Sequence, residues 1–413
     1  VNFELALGSA PLAAPATDTG AAAATRINDF SFDLLRKLDP TGNLCLSPTS
    51  IALTLAMVRA GARGTTATEM DQVLRSLGAP GQAPEIVALL QQLSLQITYA
   101  DADGFPLPPE ATPDPAYPDP MVELRMANQA FAQKGMSLEQ DYLDALSSSF
   151  GAGVGQLDFI EDPEAARLTV NKWGSDNTNG RIPAILRPGD VDNTIRIAIA
   201  NAAYLKAGWQ MPFDTSQTKP RPFTTASGVS ISVPTMASST PLRYGTGSGY
   251  RAVELPFTDG SLSMLIVVPN SMAAFTAGLT AAKLAAISEG TEWYFVDLTM
   301  PRFSIDTRYE LIPQLQSVGM HDLFDPLKAD LTGITRDEIA QSLYIKHVIH
   351  QANIEVVEEG VTASAVTVAM GGTTGAQPPA TFKVDRPFLY FIHERESGVV
   401  LFMGRVDDPS PTS

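Results

Sequence analysis

Cysteine is almost missing: Cys45 is the only one in 413 residues. That excludes an intramolecular disulfide framework and any Cys-rich zinc module. Its place between Leu44 and Leu46 reads as a buried, inert thiol. Basic residues are also scarce, with Lys and Arg totalling 28 against 45 Asp and Glu, a formal charge of −17. Nucleic acid is excluded as a default partner, since phosphate binding needs a basic footprint. An anionic membrane surface is disfavoured for the same reason. No run approaches the ~20 apolar residues of a membrane-spanning helix, and the most apolar stretch, Ile51 to Val58, ends in Arg59-Ala60-Gly61. No N-x-S/T acceptor occurs, and with the Ala-rich, unbridged composition this looks prokaryotic in style.

The usual enzyme signatures are missing too. There is no G-x-S-x-G nucleophile elbow, because Gly247-Ser248-Gly249 reads as a turn between strands. No phosphate-cradling glycine motif occurs. The four histidines, His321, His347, His350 and His393, are too few and wrongly spaced for H-E-x-x-H. Asp101-Ala102-Asp103-Gly104 resembles the start of a calcium loop but lacks the later acidic ligand. Neither a metal nor a cofactor is expected, and a hydrolase using its own serine is disfavoured.

What is present is a large apolar core, with 44% hydrophobic residues. Residues 1–24, rich in Ala, Pro, Gly and Thr, read as a flexible leader. A helix is expected from Thr25 to Leu38. Ser47-Pro48 opens another helix that Gly61 closes, and its residues Ile51 to Val58 leave almost no polar face, so it should be buried all round. Thr66-Ala67-Thr68-Glu69 reads as a capping box for a helix stopped at Gly78. A further helix runs from Pro84 to Ile97. Residues 101–120, with seven prolines, acidic residues and no Lys or Arg, read as a solvated surface loop.

Beyond Val122, strands are expected at 122–131, 194–206, 250–257, 261–269, 292–303, 342–357, 381–384, 387–394 and 398–405. Helices are expected at 138–149, 163–176 and 307–317. Helices early and strands late indicate an α+β body. In strand 342–357, Val348, His350, Ala352, Ile354 and Val356 share one face, and Gln351, Asn353 and Glu355 the other. Val361 to Gly375 then carries no charge at all, which is odd for an exposed loop. It reads as a loop that can become a strand, with Val361, Ala363, Ala365, Thr367 and Ala369 on one face and a flexible Gly371-Gly372-Thr373-Thr374-Gly375 tip.

Five stretches together resemble the serpins over residues 25 to 408. They are Asn43-Leu44-Cys45-Leu46-Ser47-Pro48-Thr49-Ser50-Ile51 with Gly61-Ala62-Arg63-Gly64-Thr65-Thr66; Asn201-Ala202-Ala203-Tyr204-Leu205-Lys206-Ala207-Gly208-Trp209; Met300-Pro301-Arg302-Phe303; His350 through Gly360; and Asp385-Arg386-Pro387-Phe388-Leu389 with Phe402-Met403-Gly404-Arg405-Val406. The resemblance implies an α+β serpin fold: one domain over 25–408, a large central mixed sheet, two smaller sheets, surrounding helices, an exposed reactive loop at 358–380 and a tail at 409–413.

It also implies a suicide inhibitor of serine proteases. The target would cut the loop, form a covalent acyl-enzyme, and be carried away as the loop inserts into the central sheet beside strand 342–357. About a dozen new backbone bonds at ~1 kcal/mol net each make insertion worth on the order of 10 kcal/mol. By residue matching, the hinge is Glu358, Glu359, Gly360, Val361, Thr362, Ala363, Ser364 and Ala365. Val361 departs from the Thr or Ser common in the family but is uncharged and β-branched, so it should still enter a sheet, if more slowly. Ser47, Ser50, Asn201 and His350 would form the cluster where the sheet opens, and Trp209 would mark where the loop goes in.

Counting forward from Glu358 places the reactive bond at Thr374-Gly375, and counting back from Pro387 places it at Ala376-Gln377. Both put a small neutral side chain in the target's specificity pocket, so elastase-like or subtilisin-like enzymes are expected and trypsin-like ones are not. The alternatives are a non-inhibitory serpin with a binding or storage role, or an inhibitor that crosses to cysteine proteases. A monomer is expected, secreted or extracellular, with the cytoplasm as the second choice.

Overall fold

The computed structural model describes residues 3–15, 20–94, 97–98, 122–178, 180, 182–258, 260–337, 342–361 and 379–410. The expected loop 101–120, the hinge residues Thr362, Ala363, Ser364 and Ala365, and both candidate bonds, Thr374-Gly375 and Ala376-Gln377, lie outside them.

The chain begins with β1 (Glu4–Ala6), α1 (Ala21–Leu35), β2 (Leu44–Leu46), α2 (Pro48–Gly61), α3 (Gly64–Leu74), α4 (Ala83–Ser94) and β3 (Ile97–Thr98). It continues with β4 (Val122–Gln133), α5 (Gln140–Phe150), β5 (Val154–Leu157), α6 (Pro163–Asn177), β6 (Ile197–Gly208), β7 (Lys219–Thr224) and β8 (Ser230–Gly247). Then come β9 (Tyr250–Pro256), β10 (Leu262–Pro269), α7 (Met272–Ala277), α8 (Ala281–Glu289), β11 (Glu292–Pro301), β12 (Phe303–Glu310) and α9 (Ile312–Ser317). The last strands are β13 (Ile349–Val357), β14 (Gly360–Val361), β15 (Ala380–Lys383), β16 (Phe388–Glu394) and β17 (Val400–Val406).

Two sheets organise these elements. The first runs β1-β5-β4-β6-β14-β13-β12, with β3 on β4, and is mixed because β4 and β5 are parallel. The second runs β15-β11-β8-β9-β10-β16-β17-β2, with β7 on β8. The 18-residue β8 pairs in turn with β7, β11 and β9, which joins the two expected smaller sheets into one hydrogen-bonded path. Strands β10, β16 and β17 are buried at every residue, because both of their faces are covered. Helix α2 lies between the sheets, touching β6 of one and β17 of the other. All of its residues but Thr54 and Ala60 are buried, as its missing polar face requires.

Several elements differ from the sequence expectations. Helix α1 starts at Ala21, four residues before Thr25. The leader is not free: Ser9 and Ala10 donate backbone N–H groups to Asp144 of α5, while β1 pairs with β5. The region 307–317 is half strand, since β12 pairs with β13 along its whole length before α9 begins; tertiary pairing overrides the helical spacing there. Residues 342–348 form no strand, and β13 begins at Ile349. Helix α3 opens at Gly64, not at Thr66. The hydroxyl of Thr66 accepts from the Asp330 N–H, and Glu69 accepts from His321 and Asp322, so these side chains cap neighbouring chain and not their own helix. The left-handed residue ending α3 is Arg75, ahead of Gly78. Gly61 is the last helical residue of α2, needed for room: a Cβ there would lie 2.2 Å from Ile334 Cγ1.

Candidate functional site: the hinge and the slot between two strands

Strand β13 leads into the first of the expected hinge residues. Its inward residues His350, Ala352, Ile354 and Val356 are buried, and Asn353 and Glu355 are exposed, the alternation read from the sequence. At its end the chain turns through Glu358 and Glu359 and comes back as β14, which is wedged between β13 and β6. Val361 pairs with Val356 on one side and Ala207 on the other, and Gly360 with Val357 and Gly208. Val361 is buried. Gly360 has φ 153°, and a Cβ there would meet the Ala207 carbonyl oxygen at 2.1 Å, so no other residue fits without moving β6.

The turn is held from three directions. The Trp209 N–H donates to the Glu359 carbonyl at 2.9 Å, its indole Nε1–H to the Val357 carbonyl at 2.9 Å, and the Phe213 N–H to the Glu358 carbonyl at 2.9 Å. The Trp209 ring stacks on Phe257 with centroids 4.8 Å apart, which fixes the indole. The Glu358 carboxylate is buried, and Arg302 Nε donates to it at 2.7 Å. The Thr218 hydroxyl donates to the same carboxylate. Burial by itself would raise this carboxyl; the bonds from Arg302 and Thr218 outweigh it and hold the group below its ordinary value. Arg302, Thr218, Phe213 and Phe257 were given no role by sequence reasoning. The available signal was Arg302 itself, a charge set between the buried Met300 and Phe303.

We call the space between β6 and β13 below β14 the slot. Among the described residues, β6 and β13 are joined only through β14, and since β14 sits between them their spacing at the top is two strand widths, roughly 9–10 Å. At the lower end lies a cavity of ≈ 110 Å³, lined by Ser50, Ile51, Thr54, Ile197, His350 and Gln351 among others. The Nε2 of His350 accepts the Ser47 N–H at 3.0 Å, so this nitrogen carries no proton. Burial lowers His350 to about 4. The Ser47 hydroxyl is buried without a partner among the described residues. The backbone of Asn201, in β6, pairs with Asn128 of β4. Ser47, Ser50 and His350 therefore meet beside the slot, and Asn201 lies on its far wall.

This arrangement makes His350 a source of pH dependence. Unfolded, it takes a proton near pH 6.5; folded, only near pH 4. Its contribution to native stability is complete above pH 6.5, shrinks as pH falls, and is gone by about pH 4, a total of roughly 3 kcal/mol. Urea unfolding measured from pH 7 to 4 should show this loss. His350→Gln, whose amide oxygen can still accept from Ser47, should flatten it. An equal slope in wild type and variant would trace the effect to another group.

Elsewhere, Ser263 lies within hydrogen-bonding reach of both His393 and Glu254, but the three do not form a hydrolase triad. The Ser263 hydroxyl donates to Glu254 at 2.6 Å, and all three are buried in the second sheet. Cys45 is buried, and burial pushes its thiol up to about 12. Among the described residues, no His/Cys/Asp/Glu group is arranged to hold a metal, and no helix is long and apolar enough to cross a membrane.

A family model for serpins, the serine protease inhibitors, matches residues 25–409. The chain belongs to the serpin family. It is a serine protease inhibitor and not an enzyme. It is 32% identical to the leukocyte elastase inhibitor of Xenopus tropicalis, over 92% of this chain and 97% of that one. With the leukocyte elastase inhibitor of Homo sapiens it shares 30% identity over the same proportions. Among solved structures it is similar to the thermophilic serpin tengpin in its native state, with TM-score 0.83 and 22% identity, covering 99% of this serpin and all of that chain. Native protease nexin-1 with heparin matches at TM-score 0.78 and 26% identity, over 94% of this chain and 100% of that one.

Proposed function

We propose that this serpin is an inhibitory member that traps elastase-like or subtilisin-like serine proteases as a monomeric suicide substrate. The target's serine attacks the carbonyl of Thr374 or Ala376. The peptide bond breaks, an ester to the enzyme forms, and the residue that follows leaves as a new amino terminus. The freed strand then extends β14 down the slot before water can cut the ester.

The observation that supports this most is the seating of Val361 between Ala207 and Val356. If the register of Val361 carried on, each residue beyond it would lie one step further back along both neighbours. Ala363 would face Ile354 and Leu205, Ala365 would face Ala352 and Ala203, and Thr367 would come between His350 and Asn201. Small uncharged side chains would thus face the buried Ile354, Leu205, Ala352 and His350 at every second position. The proposed sheet-opening cluster of Ser47, Ser50, Asn201 and His350 stands at the level Thr367 must pass. A non-inhibitory role is disfavoured because Val361, the residue that departs from the family pattern, already fits the sheet.

Elastase as target rests on the neutral side chains of Thr374 and Ala376 and on the similarity to leukocyte elastase inhibitors. Incubation with elastase, subtilisin and trypsin should yield an SDS-resistant conjugate with one of the first two and none with trypsin. Mass spectrometry of the released fragment should begin at Gly375 or Gln377. Cleavage by elastase and subtilisin with no conjugate would remove the trapping mechanism, and a conjugate with trypsin alone would remove the specificity.

A further inference from the structure

Three consecutive aromatics at the start of β11 are open to solvent: Trp293 is 58% exposed, Tyr294 37% and Phe295 47%. The same strand is buried in alternation from Val296 onward. Exposed runs of large apolar residues are costly on a free surface and are kept where something covers them. Neighbouring positions sharpen the patch. Trp293 and Phe295 share a face, with the exposed Pro241 directly opposite Phe295. Arg243, opposite Trp293, is turned to Thr291, donating to its hydroxyl at 3.0 Å and its carbonyl at 2.8 Å, so it does not shield the indole. Tyr294 points to the other face and anchors edge-on against Tyr244.

The place of this patch decides what covers it. Strand β15 runs parallel to β11 with Ala380 beside Val296, so the chain coming from the reactive loop reaches the body at the level of Phe295. From Gly375 to Pro379 is five residues, a reach of no more than roughly 17 Å even when extended. A stable protein–protein contact covers about 800 Å² on each partner, roughly 28 Å across. An enzyme engaged at either candidate bond is therefore close enough to reach Trp293 and Phe295.

We propose that Trp293 and Phe295 form a docking surface for the target protease, meeting apolar surface beside the part of its cleft that holds the residues after the cut bond. This rests on the inhibitory reading above and adds a second contact outside the loop. Tryptophan in an apolar setting next to a functional segment is the residue type most often found to dominate such contacts. The contact forms in the encounter complex, before cleavage, and so governs how fast the protease is caught and not what happens to the acyl-enzyme.

The test is the second-order rate of elastase inhibition by wild type and by the double variant Trp293→Ala, Phe295→Ala, with thermal midpoint and stoichiometry of inhibition measured alongside. The expected result is a rate lower by about 10-fold or more, with stoichiometry and midpoint unchanged and little response to salt. Should the double variant not fold, each single variant that keeps the wild-type midpoint should still lose about three-fold. Equal rates would overturn the proposal, as would a slower rate accompanied by a raised stoichiometry, which would locate the effect in loop insertion. A wild-type dimer abolished by the substitutions, with inhibition rates equal, would give the patch to self-association and also overturn it. Failure of the wild type itself to form any conjugate would bring down the inhibitory reading and this inference together, whereas a normal conjugate with equal rates brings down the docking surface alone.

Discussion

With aspartate in place of Val361, elastase is expected to cut the protein and then go free. Val361 is buried between Ala207 and Val356. A carboxylate there must either lose its hydration or take up a proton, and protonation at pH 7 costs about 4 kcal/mol for an ordinary aspartic acid. The side chain is too short to reach water along the strand. The cheaper response is for β14 to withdraw, giving up the ~2 kcal/mol from burying the valine, so the native fold survives. Withdrawal removes the seed from which insertion grows. A barrier higher by about 4 kcal/mol slows insertion on the order of 1,000-fold, and hydrolysis of the ester then wins. The gel should show cleaved protein accumulating without conjugate, while Val361→Thr should trap as the wild type does. Trapping by Val361→Asp at wild-type stoichiometry would mean that seating of residue 361 is irrelevant to the mechanism.

Cutting the loop of the wild type should raise its thermal midpoint. Continued from Val361, the register would place residue 368 beside Ile349, the first residue of β13. Seven further residues would thus lie between β6 and β13, each contributing a donor and an acceptor to ladder bonds. At ~1 kcal/mol net per bond this amounts to on the order of 10 kcal/mol, and for a chain of this length the midpoint should rise on the order of 10 °C. Differential scanning calorimetry before and after limited subtilisin treatment measures it. A cut chain melting where the intact chain does would show that no strand is added. The Val361→Asp protein, cut in the same place, should gain less.

Much of the machinery was legible before any coordinates. The alternation along 350–356 is a period-2 signal strong enough to give both the strand and its buried face. The apolar run of α2 declared its own burial. The uncharged stretch after Gly360 begins with Val361, which is seated in the sheet. The failures have a shared cause. In 307–317 the spacing of apolar residues suits a helix, yet β13 offers hydrogen-bonding partners along residues 303–310, and only the second half remains helical. In 219–247 prolines, serines and threonines conceal two strands, of which β8 is held by three neighbours and not by its own composition.

What the sequence by itself determined is the family, the α+β class, the inward face of β13 and the neutral chemistry of the loop, because these follow from residue type, order and local spacing. Only the tertiary structure decided that the turn after β13 is clamped. Glu358 meets Arg302 from 56 residues away, and the Trp209 indole reaches Val357 from 148. It also decided that Trp293 and Phe295 stand beside the loop's return to the body. Contacts of that kind depend on where separate strands cross in space, and no periodicity along the chain encodes a crossing.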